Sequence, residues 1–133
     1  MFRLPFLHRP APLQGAPTTR RLKTYSAQSG YVYQYFYEGH REFREASDAG
    51  TQFVFRVSAD NKTWIASAVL VSEEAIRAWE SAHERTLSAT ERYAVAKMAL
   101  FQAFDKRETP PLMKAAVRVR AADVDAIVET LGL

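Results

Sequence analysis

The hydrophobic period of this chain changes at Ser72, and that change restricts which architectures are open to it. Before Ser72, apolar residues tend to alternate, as they do along strands. After it they recur every three or four positions, as they do along helices, with one return to alternation at Val117-Arg118-Val119-Arg120. Strands grouped before helices argue against alternating βαβ units. They predict an α+β domain with helices laid on one face of an antiparallel sheet.

Leu22 to Ser26 alternates weakly, and Gln28-Ser29-Gly30 reads as a turn. Tyr31 to Glu38 is the strongest strand signal, dense in aromatic side chains. The stretch from Gly39 to Gly50 is polar and reads as a long connection, with a helical turn at His40 to Ala46. Gln52 to Ser58 and Thr63 to Val71 read as a hairpin. A tip at Asp60-Asn61 predicts Val57 opposite Trp64, Phe55 opposite Ala66 and Phe53 opposite Ala68. Phe53, Phe55, Val57, Trp64, Ala66, Ala68 and Leu70 then share one face.

Ser72 followed by Glu73-Glu74 predicts an N-cap with acids at the positive end of the helix dipole. Ala75, Ile76, Trp79 and Ala82 would form that helix's inner face. Ser88 and Glu91 have capping-box spacing, and the helix they open should run to about Lys106. It is apolar almost all round, which predicts a central position. Pro110-Pro111 stops it. Asp123 opens a last helix with Val124, Ile127, Val128 and Leu131 in register, and Gly132 closes it. The expected fold is α+β, with an antiparallel sheet of about four strands in ββββ-αα-β-α order. Two to three helices pack on one of its faces.

Residues 1–19 read differently. Pro5, Pro10, Pro12 and Pro17 prevent a helix or central strand, so this is an extended, Pro-rich, basic arm, and residues 20–133 are a single domain. Its apolar residues Phe2, Leu4, Phe6, Leu7 and Leu13 are suited to docking on the domain or on a partner. Arg3, Arg9, Arg20, Arg21 and Lys23 precede the first acid, Glu38, so the chain's net charge of +3 belongs to its N-terminal segment. Such an arm favours phosphate or an acidic surface.

The chain has no cysteine, which excludes disulfide scaffolds, thiolate metal sites and cysteine nucleophiles. At 47% apolar it can bury a core without such staples, and no apolar run approaches the ~20 residues that cross a bilayer. A cytoplasmic protein with no membrane contact is expected.

Chemistry-bearing motifs are sparse. His83-Glu84 begins like a zinc-protease helix, but Leu87 stands where the second histidine belongs. Glu38, His40 and Glu42 would share a face only if the strand continued through Gly39, which is expected to end it. No glycine spacing gives a phosphate loop, and no serine lies in a nucleophile elbow. No catalytic residue, metal site or cofactor is expected.

The unusual feature is Tyr31, Tyr33, Tyr35 and Tyr37, whose phenols alternation puts on one face, with Val32, Gln34, Phe36 and Glu38 on the other. A tyrosine stripe suits a boundary between core and water, a protein contact, or a surface on which bases stack. The leading expectation is a small non-enzymatic protein working through protein–protein contacts, as a homodimer or accessory subunit. Its contact surface would comprise Tyr31, Tyr33, Tyr35, Tyr37, Arg20, Arg21 and Lys23. The alternatives are single-stranded nucleic-acid binding by the same strand and arm, and a small-molecule enzyme or binder with a pocket lined by residues 39–50.

Overall fold

The computed structural model of the chain describes residues 11–133. The expected docking of Phe2, Leu4, Phe6 and Leu7 lies outside the described residues, as do Arg3 and Arg9. The domain is α+β: one five-stranded sheet, in the order β1-β2-β3-β4-β5, with three helices. The strands are β1 (Lys23–Ser26), β2 (Val32–Arg44), β3 (Ala49–Ser58), β4 (Ile65–Ser72) and β5 (Val117–Val119). Neighbours are antiparallel except β4 and β5, which run parallel. The parallel pair follows from the chain order. Helices α1 (Glu73–His83) and α2 (Ala89–Lys106) and a short 3-10 turn (Pro110–Lys114) intervene before β5, and α3 (Ala121–Leu131) ends the chain.

The helix boundaries follow local chemistry. Ser72 accepts from the Ala75 amide and opens α1. At α2 the Ser88 side chain accepts from the Glu91 amide while the Glu91 carboxylate accepts from the Ser88 amide, closing a capping box. Gly132 ends α3 in the left-handed conformation. Helix α2 crosses the middle of the structure. Val95, Ala96, Ala99, Leu100, Ala103 and Phe104 are buried along it, and no residue from Glu91 to Asp105 is fully exposed.

The strands depart from expectation in two places, and each departure changes what faces where. The first is the stretch 39–50. Gly39 does not end β2; the strand runs on to Arg44 and turns tightly at Glu45–Asp48, where the Glu45 amide donates to the Asp48 carbonyl at 2.7 Å. A bulge makes this continuation fit. Tyr37 pairs with Phe55 and Gly39 with Val54, which leaves Glu38 without an opposite residue on β3. Gly39 takes a φ of 135°, and an added Cβ would stand 2.6 Å from the Gln14 carbonyl oxygen, so glycine is required on both counts. The Gln14 backbone exchanges hydrogen bonds of 2.7 and 2.8 Å with His40, which ties the described part of the arm to β2.

The second departure is the β3–β4 register. Val57 faces Ile65, Phe55 faces Ser67 and Phe53 faces Val69, one residue away from the expected pairs. The tip is longer than Asp60-Asn61 because Asp60 organises it. One carboxylate oxygen accepts from the Lys62 and Thr63 amides and from the Ser58 hydroxyl, and Asn61 adopts a φ of 62°. The Thr63 and Lys62 amides hold the Asp60 carboxyl down to about 2. A one-residue slip exchanges the faces of a whole strand. Ile65, Ser67, Val69 and Val71 are therefore the buried inner residues of β4. Ala66 is exposed, and Trp64 and Ala68 are only partly buried.

Candidate functional site

Inward residues of β2 meet the helices. Tyr33 is fully buried, its ring stacked on Phe104 at 4.1 Å, and Tyr35 is 5% exposed, edge-on to Phe101. Tyr37 is half-buried against Phe55 and Tyr93. Burial, with a smaller contribution from Tyr93, pushes its phenol up to about 12. Of the four, Tyr31 is the most exposed, at 36%. The four tyrosines do not form a contact surface: Tyr33 and Tyr35 belong to the hydrophobic core, and their rings are spent on α2. The physical reason is fit. The phenyl rings of α2 offer flat apolar partners at stacking distance, and the sheet has no other layer to bury against on that side.

The basic residues expected beside them are also separated. Lys23 lies opposite Tyr35, on the helix side, where its charge lowers the Lys97 ammonium that burial already depresses. Arg20 lies on the other side, its guanidinium 4.9 Å from the Phe36 ring centre, and Arg21 is exposed. The bulge likewise separates Glu38 from His40 and Glu42. Glu38 turns to the outer face and pairs with Arg56 at 3.0 Å, while His40 turns inward to the Tyr37 hydroxyl at 3.2 Å. Among the described residues no group of three or more histidines and carboxylates could hold a metal ion.

A cleft of about 1160 Å³ does lie along residues 42–51, with Glu73, Glu74, Arg77 and Arg92 opposite. Its charges largely answer one another. Glu73 engages Arg77 at 3.6 Å and Arg92 at 3.2 Å, and Glu45 is held below the usual carboxylate range by its hydrogen bonds to Arg118. His40 is not among its lining residues.

What the tyrosine stripe leaves over is the opposite side of the same strand. Val32 is 50% exposed and Leu22 58%, the two largest exposures among the described bulky apolar side chains. Register puts Val32 on the outer face, since it alternates with inward-facing Tyr33 and Tyr35, and Leu22 immediately precedes Lys23, which pairs with Tyr35. Phe36 follows two positions on from Gln34 on that face, and its ring contacts Trp64 at 5.6 Å. The outer face at the β1–β2 end thus carries Leu22, Val32 and the Phe36–Trp64 pair, with Gln34 between Val32 and Phe36 and with Arg20 over the Phe36 ring. Among the described residues, α2 packs on the other, tyrosine side of β2. Alternation in the sequence already placed Val32 and Phe36 together, but it could not tell which face of β2 the helices would take. Trp64 was assigned to the wrong side by the register of β4.

No family model, curated protein or solved structure matches this chain. Among the described residues no helix is long and apolar enough to cross a membrane.

Proposed function

We propose that this protein works through protein–protein contact at the outer face of its sheet, and that the partner is a second copy of the chain. The observation behind this reading is the set of apolar side chains on that face, where Leu22 is 58% and Val32 50% exposed and Phe36 packs on Trp64. Bulky apolar side chains exposed on one face commonly have a partner. A twofold contact needs only one such face, because each copy presents the same surface to the other. Arg20, over the Phe36 ring, supplies a polar group of the kind contact surfaces carry at their rim.

Leu22→Ser combined with Val32→Ser tests this, because both side chains are exposed and neither contributes to the core. By light scattering, wild type should show twice the 15.1 kDa of one chain, and the double variant 15.1 kDa with an unchanged melting temperature. A wild-type chain that stays monomeric at high concentration overturns the homodimer.

One observation favours a second reading of the same face. Arg20 lies over Phe36, and Phe36 touches Trp64, an arrangement on which unpaired bases can stack. On that reading the mass is 15.1 kDa throughout, and an unstructured oligonucleotide binds with affinity that falls steeply as salt rises.

A further inference from the structure

We propose that Lys97 is a modification site: the amine of this chain that a small anionic acyl donor, an acyl phosphate, acylates first. Lys97 stands on the face of α2 that meets β2. Its ammonium nitrogen lies 6.0 Å from the Tyr35 ring centre and 5.8 Å from that of Phe101. Lys23 is the residue opposite Tyr35 in the β1–β2 register, so two cationic side chains flank one phenol ring. The rings stand at the outer limit of a cation–π contact, and they exclude water more than they replace it.

The missing counter-charge is the informative part. Glu38 is the first acid of the chain, so every acidic side chain lies among the described residues, and the ion pairs there are made by arginine or histidine. Neither Lys23 nor Lys97 has a carboxylate partner. Asp105, two turns further along α2, is engaged by the Tyr25 hydroxyl and the Gln28 amide. The phenols of Tyr25, Tyr35 and, one turn before Lys97, Tyr93 are raised chiefly by burial, so none supplies a negative charge at neutral pH. Burial, and then the charge of Lys23, hold the Lys97 ammonium below the usual lysine value. The neutral amine is the nucleophile, and desolvation or a second cation is how lysines are activated. The nitrogen is also within reach. Among the described residues the enclosed polar side-chain atoms without a partner are the Tyr33 hydroxyl and Arg41 Nε; Lys97 Nζ has no partner either and is not enclosed.

In the reaction the Lys97 nitrogen attacks the acyl carbon and a C–N bond forms. The C–O bond to phosphate breaks, phosphate leaves with the electron pair, and the proton displaced from nitrogen passes to water. Lys23 supplies the charge that draws the donor's phosphate, and the neutral amide product ends the repulsion between the two lysines. The site lies on the helix side of β1 and β2 and does not depend on the outer-face contact. Acetyl phosphate is the probe, with early acetylation of the full chain read at each lysine by peptide mass spectrometry. At neutral pH Lys97 should be acetylated about three times faster than the exposed Lys62, Lys106 and Lys114. Lys23→Gln should bring Lys97 down toward their rate and leave theirs unchanged, whereas Lys23→Arg, which keeps the charge, should leave Lys97 fast. Both substitutions fall at an exposed position and spare the core. The proposal is overturned if Lys97 reacts no faster than the exposed lysines, or if its rate is the same in Lys23→Gln as in wild type.

Discussion

Replacing Tyr33 and Tyr35 together by serine will unfold this protein. Both rings are buried, Tyr33 flat against Phe104 and Tyr35 against Phe101 and Phe104. Truncating a buried aromatic side chain costs about 3–5 kcal/mol, because the lost burial is compounded by the cavity left behind. Two such truncations approach or exceed the roughly 5–15 kcal/mol that holds a typical domain together. The serine hydroxyls do not compensate, since they lie too far from the helix layer to fill the space. Circular dichroism should show no cooperative thermal transition, or one lowered by tens of degrees. A double variant that melts within a few degrees of wild type would return the tyrosines to the surface.

Leu100→Asp should be comparably destructive from the other side of the same core. Leu100 is fully buried in the middle of α2, next to Ala99 and one turn from Ala96, Ala103 and Phe104, all of them buried. Removing the leucine side chain alone costs about 2–5 kcal/mol, and the unpaired carboxylate adds several more unless it takes up a proton. Guanidinium denaturation of the purified variant should show either no folded baseline or a midpoint lowered by more than half. An unchanged midpoint would place α2 at the surface and contradict the packing described for every strand it crosses.

Much of this fold was legible in the sequence because its signals are local. Ser72, Ser88 with Glu91, and Gly132 cap helices through hydrogen bonds to residues three or four positions away, and all three act where they were expected. The near-continuous apolar surface of α2 announced its central position. The strands were harder because their placement depends on what lies across the sheet. Gly39 looked like a terminator. It is instead the residue that lets β2 bulge and continue, and its special backbone is required partly by Gln14, which approaches from outside the strand. The β3–β4 register turned on how many residues Asp60 could gather into the tip, which composition does not reveal.

The candidate site was half legible. Alternation sorted β2 correctly into a tyrosine face and a Val32–Phe36 face. Which one turns inward is decided by the phenyl rings of Phe101 and Phe104, which lie far along the chain and take Tyr25, Tyr33 and Tyr35 as their partners. Tyrosine density suggests a surface, and it misled here because a phenol buries its ring as readily as it meets water. The apolar set that remains was hidden by its modest composition: one leucine, one valine and two aromatic residues drawn from three separate segments.

The assignment of contact to the outer face rests on the tyrosines facing inward, and tyrosine nitration of the native protein tests that most directly. Tetranitromethane treatment followed by peptide mass spectrometry reads each phenol in place, without a substitution that disturbs the fold. The structure predicts nitration at Tyr31, with Tyr33 and Tyr35 unmodified until denaturant is added. Nitration of Tyr33 and Tyr35 in the native protein at the rate of Tyr31 would contradict it, and would move the contact surface back to the tyrosine face.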